Sequence, residues 1–187
     1  MCIISVWPSK TENVKRRNEM TYLEIDKALY DIVTEKYNEC QSRLDTVPNE
    51  NKNERKALTI EREMYGLCNR AGLIVYVLGK REGVLAMRRR VVGQILHKYP
   101  KLNEVFTQLE EEEKMRFIAA LQAEIFMRDQ IVNSYYTEFE AAKTAGDTKN
   151  ILEFQIKIGA CENVFKAWEE WRKEHGIYPN LIDKMEG

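Results

Sequence analysis

The sequence predicts an all-α fold, a helical bundle of five or six amphipathic helices with short loops. Apolar residues recur every three or four positions over most of the chain, which is the spacing of one helix face. Only nine glycines and four prolines occur in 187 residues, and 44% of the residues are apolar, which is enough to build a core. The length favours one domain, so we expect residues 1–187 to form a single helical domain.

The first helix is expected from about Ser9 to about Asp45 and is followed by a polar, Asn-rich loop around Pro48. Its apolar stripe comprises Tyr22, Ile25, Leu29, Ile32, Val33, Tyr37, Cys40 and Leu44. Residues 1–8, with Trp7, form an apolar N-terminal arm that can dock on its own bundle or on another subunit.

The second and third helices are expected at about 54–78 and 83–99. The end of the second helix is apolar on all sides, which is also typical of a buried strand. We favour a helix because the pattern continues from Ala57 without a breaker. The third helix should end before Pro100, because the residue that precedes a proline disfavours helical geometry.

The remaining helices are expected at about 102–145 and 148–175. Four consecutive glutamates at 110–113 mark either a break or a new start in the first of these, and such a charge run is usually a solvated face. Gly146 should end that region, Asp147 should cap the next helix, and Gly176 should end it. Residues 176–187 then form an irregular C-terminal tail.

The net charge of −1 conceals a division along the chain. Residues 54–101 hold 11 basic and four acidic residues, a net +7, whereas residues 102–187 hold 10 basic and 17 acidic residues, a net −7. Seven cations form a candidate binding region for an anion, a nucleic acid or an acidic partner. They are Lys80, Arg81, Arg88, Arg89, Arg90, Lys98 and Lys101. Whether the acidic segment neutralises this basic segment inside the fold is left open.

Two arginines fall on apolar helix faces. Arg88 lies among Val84, Leu85, Val91 and Val92, and Arg128 lies one turn after Glu124, with which it can pair. A buried charge needs a partner, so Arg88 is either a structural ion pair, a stem whose head reaches water, or an anion site for a phosphate or a carboxylate. The structural interpretations are favoured.

The sequence contains none of the common catalytic or metal-binding patterns. It lacks phosphate-cradling glycine loops, a G-x-S-x-G elbow, an H-E-x-x-H helix and an E-x-x-H pair, so we expect no catalytic residues, no metal and no cofactor. By helical phase His97 is a surface residue, and His175 lies in a last helical turn, where a cation is favourable. Trp168 lies on an apolar stripe and is expected in the core.

Cysteine spacing and the length of apolar runs indicate the cellular compartment in which the protein is expected. No C-x-x-C pair occurs, and the longest apolar run has six residues, far short of a membrane span of roughly 20. We therefore expect reduced, structural cysteines in a cytoplasmic protein that does not act on membranes. Long amphipathic helices and oppositely charged segments predict a non-enzymatic interaction protein, an adaptor or inhibitor that binds a protein partner and self-associates. The alternative is a nucleic-acid-binding protein that contacts phosphates through the basic 80–101 region.

Overall fold

The computed structural model describes residues 20–78, 90, 92–121, 128 and 132–179, with the backbone alone for 71–78. Within these ranges every regular element is a helix, which confirms the predicted all-α class. The helices are α1 (Tyr22–Thr46), α2 (Lys52–Leu78), α3 (92–98), α4 (Pro100–Thr107), α5 (Glu111–Ala120), α6 (Asn133–Ala145) and α7 (Thr148–His175). The predicted count of five or six is therefore too low for the part of the chain that is described.

The higher count arises where the 102–145 region is divided. Helix α4 ends at Thr107, and Glu111–Glu113 occupy the first turn of α5, so the glutamate run is a new start. Carboxylates are favourable there because the helix dipole is positive at its N-terminus. Helix α5 ends at Ala120, and α6 follows from Asn133.

The first helix begins later than predicted. Thr21 has extended backbone geometry (φ −74°, ψ 158°) and caps α1 through a capping box with Glu24. The Thr21 side chain accepts a bond from the Glu24 amide, while the Thr21 amide donates to the Glu24 carboxylate at 2.7 Å. A single helix from Ser9 through Asp45 is therefore wrong, because Thr21 interrupts it; the predicted arm and residues 9–19 lie outside the described residues.

Two glycines end helices as predicted. Gly146 and Gly176 both have φ +68°, a left-handed conformation that favours glycine, and they terminate α6 and α7. Asp147 caps α7 by accepting a bond from the Asn150 amide at 3.1 Å. Residues 177–179, which follow Gly176, are not helical, but Ile177 is fully buried and belongs to the core.

The core lies where α7 packs against α1 and α2 and where α5 packs against α1. Its fully buried members include Ile25, Val33, Phe117, Leu121, Cys161, Val164, Trp168 and Ile177. Helices α1 and α2 are joined along their length by polar bonds: the Arg55 guanidinium donates to the Leu44 and Val47 carbonyls, and Asn69 donates to Thr34. Helix α6 packs on α7 as a hairpin that turns at Gly146.

Candidate interaction surfaces

The basic region predicted as a binding site is only partly described. Arg90, Lys98 and Lys101 are exposed, whereas Lys80, Arg81, Arg88 and Arg89 lie outside the described residues. The chain leaves helical geometry at Tyr99 (φ −120°, ψ 86°), so Lys101 belongs to α4, while Arg90 and Lys98 precede the break. The three described cations are therefore accessible but do not share one straight helix face.

Helix α3 is amphipathic in the phase that the sequence predicts. Val92, Ile95 and Leu96 are buried, whereas His97 and Lys98 are exposed. The Lys98 ammonium lies 5.1 Å from the centre of the Tyr99 ring. The apolar face anchors this helix in the core and leaves its polar side in solvent.

The acidic C-terminal half forms many of its ion pairs within single helices. Glu113 accepts a bond from Arg116 at 2.8 Å in α5, and Glu153 pairs with Lys157 at 2.7 Å in α7. Lys157 holds the pKa of the Glu153 carboxyl below its ordinary value. These ion pairs are formed within one helix, although Lys56 of the basic 54–101 segment also lowers the pKa of the Glu153 carboxyl.

Three of the four glutamates in the run, at 110–112, are exposed, as predicted, whereas Glu113 is half-buried. The Arg116 side chain is only 9% exposed, and its guanidinium binds Glu112 and Glu113. Glu113 also accepts a hydrogen bond from the Tyr178 hydroxyl. The run therefore pairs a buried arginine and ties the segment after α7 to the start of α5.

A groove of about 450 Å³ runs between α1 and α2. Tyr30, Thr34 and Tyr37 line it from α1. From α2 it is lined by Arg62, Glu63, Gly66, Asn69 and Arg70. Sequence analysis did not identify it, because the groove joins side chains of two helices whose relative placement no single-helix pattern encodes.

A second, more polar cleft of about 320 Å³ lies where α1, α2 and α7 meet. The Tyr65 hydroxyl lies between Asn163 of α7, which donates to it at 3.2 Å, and Glu61, to which it donates at 3.1 Å. Burial raises the pKa of Tyr65 far above its ordinary value, so this phenol stays protonated. Arg43 pairs with Glu61 at 3.6 Å, which balances the charge of the cleft.

The α6–α7 hairpin carries apolar side chains that the core does not cover. All the buried residues of α7 lie from Ile158 onward, although residues 148–157 contain four large apolar residues. Those four are Ile151, Leu152, Phe154 and Ile156. Leu152 is 59% exposed and Tyr136 of α6 is 43% exposed. We call this exposed part, formed by residues 148–157 and Tyr136, the hairpin surface.

The described cysteines and His175 make contacts that are typical of structural residues. Cys40, Cys68 and Cys161 are buried and form no disulfide, which agrees with their predicted role as small apolar side chains. His175 lies in the last turn of α7, bonds the Trp171 carbonyl at 2.8 Å and stacks on the Trp171 ring. In the described part of the chain, no group of three His, Cys, Asp or Glu side chains is arranged to hold a metal ion.

Arg128 lies beside an aromatic ring. It is half-buried, with its guanidinium carbon 5.9 Å from the centre of the Phe165 ring, and its predicted partner Glu124 lies outside the described residues. Three buried polar residues, Asp26, Arg116 and Arg172, were not predicted from the sequence. The signal was available for Asp26, which follows Ile25 directly and so lies next to the apolar stripe of α1.

Comparison with known proteins adds no assignment. No protein-family model, no curated protein and no solved structure matches this chain. None of the described helices is both long enough and apolar enough to cross a membrane.

Proposed function

We propose that this chain is a non-enzymatic helical interaction protein of the adaptor or inhibitor type, which binds a partner protein and self-associates. The observation that carries the proposal is the hairpin surface, where Leu152 is exposed and Ile151, Phe154 and Ile156 are only partly buried. Exposed apolar patches on soluble proteins often mark interaction sites. The free, buried cysteines support a reducing, cytoplasmic location for this activity.

A second copy of the chain is the partner that we favour. A two-fold contact places the same patch of both subunits against each other, so each hairpin surface would cover the other. Around such a contact the exposed charges of α6 and α7, which have both signs, would lie at a polar rim. Lys143 and Glu140 are examples, with side chains 49% and 63% exposed.

The test is the mass of the full chain in solution over a concentration series, by light scattering and sedimentation. We expect association to increase with concentration and Leu152→Glu to weaken it at least about tenfold, because a charge would have to be buried in the contact. Asn38→Glu is the matched control, since it adds the same charge at an exposed position of α1, outside the hairpin surface, without removing apolar surface. A strict monomer at every concentration rejects self-association.

The second candidate function is nucleic-acid binding through the basic 80–101 region. It is favoured by the exposure of Arg90, Lys98 and Lys101 and by the net +7 of residues 54–101. Phosphate contacts release counterions, so binding should fall steeply with salt. The Arg89→Ala/Arg90→Ala double variant should reduce that salt dependence, whereas Lys149→Ala, at an exposed site in α7, should leave it unchanged. No retention on duplex DNA at about 50 mM salt rejects this candidate.

A further inference from the structure

The groove between α1 and α2 combines flat aromatic walls with cationic side chains. Tyr30 and Tyr37 lie two helical turns apart on α1 and both line the groove. Arg62, Gly66 and Arg70 follow each other at intervals of four residues on α2, so they share one side of that helix. A volume of about 450 Å³ lies within the range of small-molecule sites.

Gly66 lies beside the Tyr37 ring in the wall of the groove. A Cβ built at Gly66 would lie 3.5 Å from Cε2 of Tyr37, which is ordinary contact, so close packing of the helices does not require glycine here. Glycine in a helix costs about 1 kcal/mol relative to alanine. A side chain larger than alanine at this position would extend into the groove beside Tyr37.

The two arginines are oriented by bonds that use only part of their capacity. The Arg62 guanidinium donates to the Gln41 side-chain oxygen at 2.9 Å, and Nε of Arg70 donates to the Gly66 carbonyl at 3.3 Å. The second bond folds Arg70 back by one turn towards Gly66. Each guanidinium has five N–H donors in a planar fork, which suits the oxygens of a phosphate.

The remaining polar residues that line the groove can form hydrogen bonds with the polar groups of a bound ligand. Asn69 Nδ2 donates to Thr34 Oγ1 at 2.7 Å, which joins the two helices and leaves the Asn69 side-chain oxygen as an acceptor. Glu63, which also lines the groove, is exposed and can accept bonds from hydroxyl or amino groups. Aromatic side chains stack on nucleobases with little dependence on the base.

We propose that this groove binds a nucleoside monophosphate. The phosphate is held by Arg62 and Arg70, and the base lies against the tyrosine rings, Tyr30 and Tyr37, that line the α1 side of the groove. This site is separate from the hairpin surface, so it stands or falls independently of the proposed self-association. Charge-assisted bonds from arginine to phosphate provide the affinity, and the aromatic wall selects a ligand with a flat ring.

The experiment is calorimetric titration of the full chain with adenosine monophosphate, with inorganic phosphate and adenosine as separate probes. We expect adenosine monophosphate to bind, and each fragment alone to bind at least about tenfold more weakly, because each makes only part of the contacts. Arg70→Gln should weaken binding about tenfold, the loss typical of a charge-assisted bond. Lys56→Gln, at an exposed site on the same helix, is the matched control and should bind like the wild type.

Two substitutions of Gly66 separate loss of the site from loss of the fold. Gly66→Leu should abolish binding by filling the groove, while Gly66→Ala adds only a Cβ in ordinary contact and should retain part of it. The helical circular dichroism of both variants is measured in parallel. The proposal is overturned if no binding occurs up to about 10 mM. It is also overturned if inorganic phosphate or an oligoglutamate peptide binds as tightly, or if Arg70→Gln and Gly66→Leu bind like the wild type.

Discussion

The indole nitrogen of Trp168 donates a hydrogen bond to the carbonyl oxygen of Ala120 at 3.1 Å. Both residues are fully buried, so this bond joins the middle of α7 to the last turn of α5 inside the core. The carbonyls at the end of a helix have no partner within that helix. Trp168 therefore fills core volume and also provides a hydrogen-bond donor for a carbonyl at the end of α5.

We expect Trp168→Phe to lower the free energy of unfolding by about 2–3 kcal/mol, through a cavity and an unpaired buried carbonyl. Urea denaturation measures the change. Trp171→Phe is the control, because Trp171 is only half-buried and should cost less. Equal losses in the two variants would show that the bond to Ala120 contributes nothing.

The burial of Ile177, just after the end of α7, gives a second prediction. Ile177 is fully buried although it lies beyond the last helix, so Ile177→Ala should cost about 2–4 kcal/mol by urea denaturation. Leu152→Ala is the matched control, since its side chain is 59% exposed and should cost less than about 0.5 kcal/mol when measured below the association range. A small loss for Ile177→Ala would contradict its place in the core.

The capping box at the start of α1 gives a third prediction. Thr21→Ala removes the side-chain oxygen that accepts the Glu24 amide, so we expect a loss of about 1 kcal/mol in unfolding free energy. Ser42→Ala, at an exposed position of the same helix, is the control and should be near neutral. If the first helix continued upstream through Thr21, the two substitutions would have similar effects.

The same capping box makes stability depend on pH. The bonds from the Thr21 amide and hydroxyl hold the pKa of the Glu24 carboxyl below its ordinary value. A carboxylate whose pKa is lower in the folded than in the unfolded chain stabilises the fold above its ordinary pKa. That contribution is lost as the pH falls through the folded value. The unfolding midpoints of the wild type and Glu24→Gln should therefore differ at neutral pH and converge in acid, and a constant difference would contradict this linkage.

The three buried cysteines give a fifth prediction, about accessibility. Burial raises the pKa of the Cys40 thiol, and a buried protonated thiol reacts slowly with a disulfide reagent. We expect Cys40, Cys68 and Cys161 to react with dithionitrobenzoate only after unfolding in urea. A Cys2→Ser variant removes the remaining cysteine, so fast modification of that folded variant would contradict their burial.

Helix positions were predictable where local chemistry decides them. Gly146, Asp147 and Gly176 act within one turn of the chain, and the structure confirms all three ends of helices. The start of α1 was also encoded locally, by Thr21 and Glu24 three residues apart, and the apolar stripe itself begins at Tyr22. The prediction was extended upstream to about Ser9 because Pro8 suits the first turn of a helix.

Tertiary placement was much less predictable. Arg116 follows the glutamates by one turn, so its pairing was readable as a surface salt bridge, but its burial depends on how α5 packs. The groove beside Gly66 depends on two helices and on the absence of a side chain, and neither has a periodic signature. Three residues of the predicted basic site, Arg90, Lys98 and Lys101, lie at the surface. For Arg90 the helical phase of the sequence had indicated this position.

The position of Ile177 in the core has a consequence for synthesis on the ribosome. Helix α1 packs against α5 and α7, so its apolar face cannot be fully covered until residues near 177 have been made. At about 5–20 residues per second, the interval between the emergence of α1 and of that last core residue is on the order of 10 s. During this interval the nascent chain presents an apolar helix that α2 can cover but α5 and α7 cannot yet cover, which makes it a natural client for chaperones.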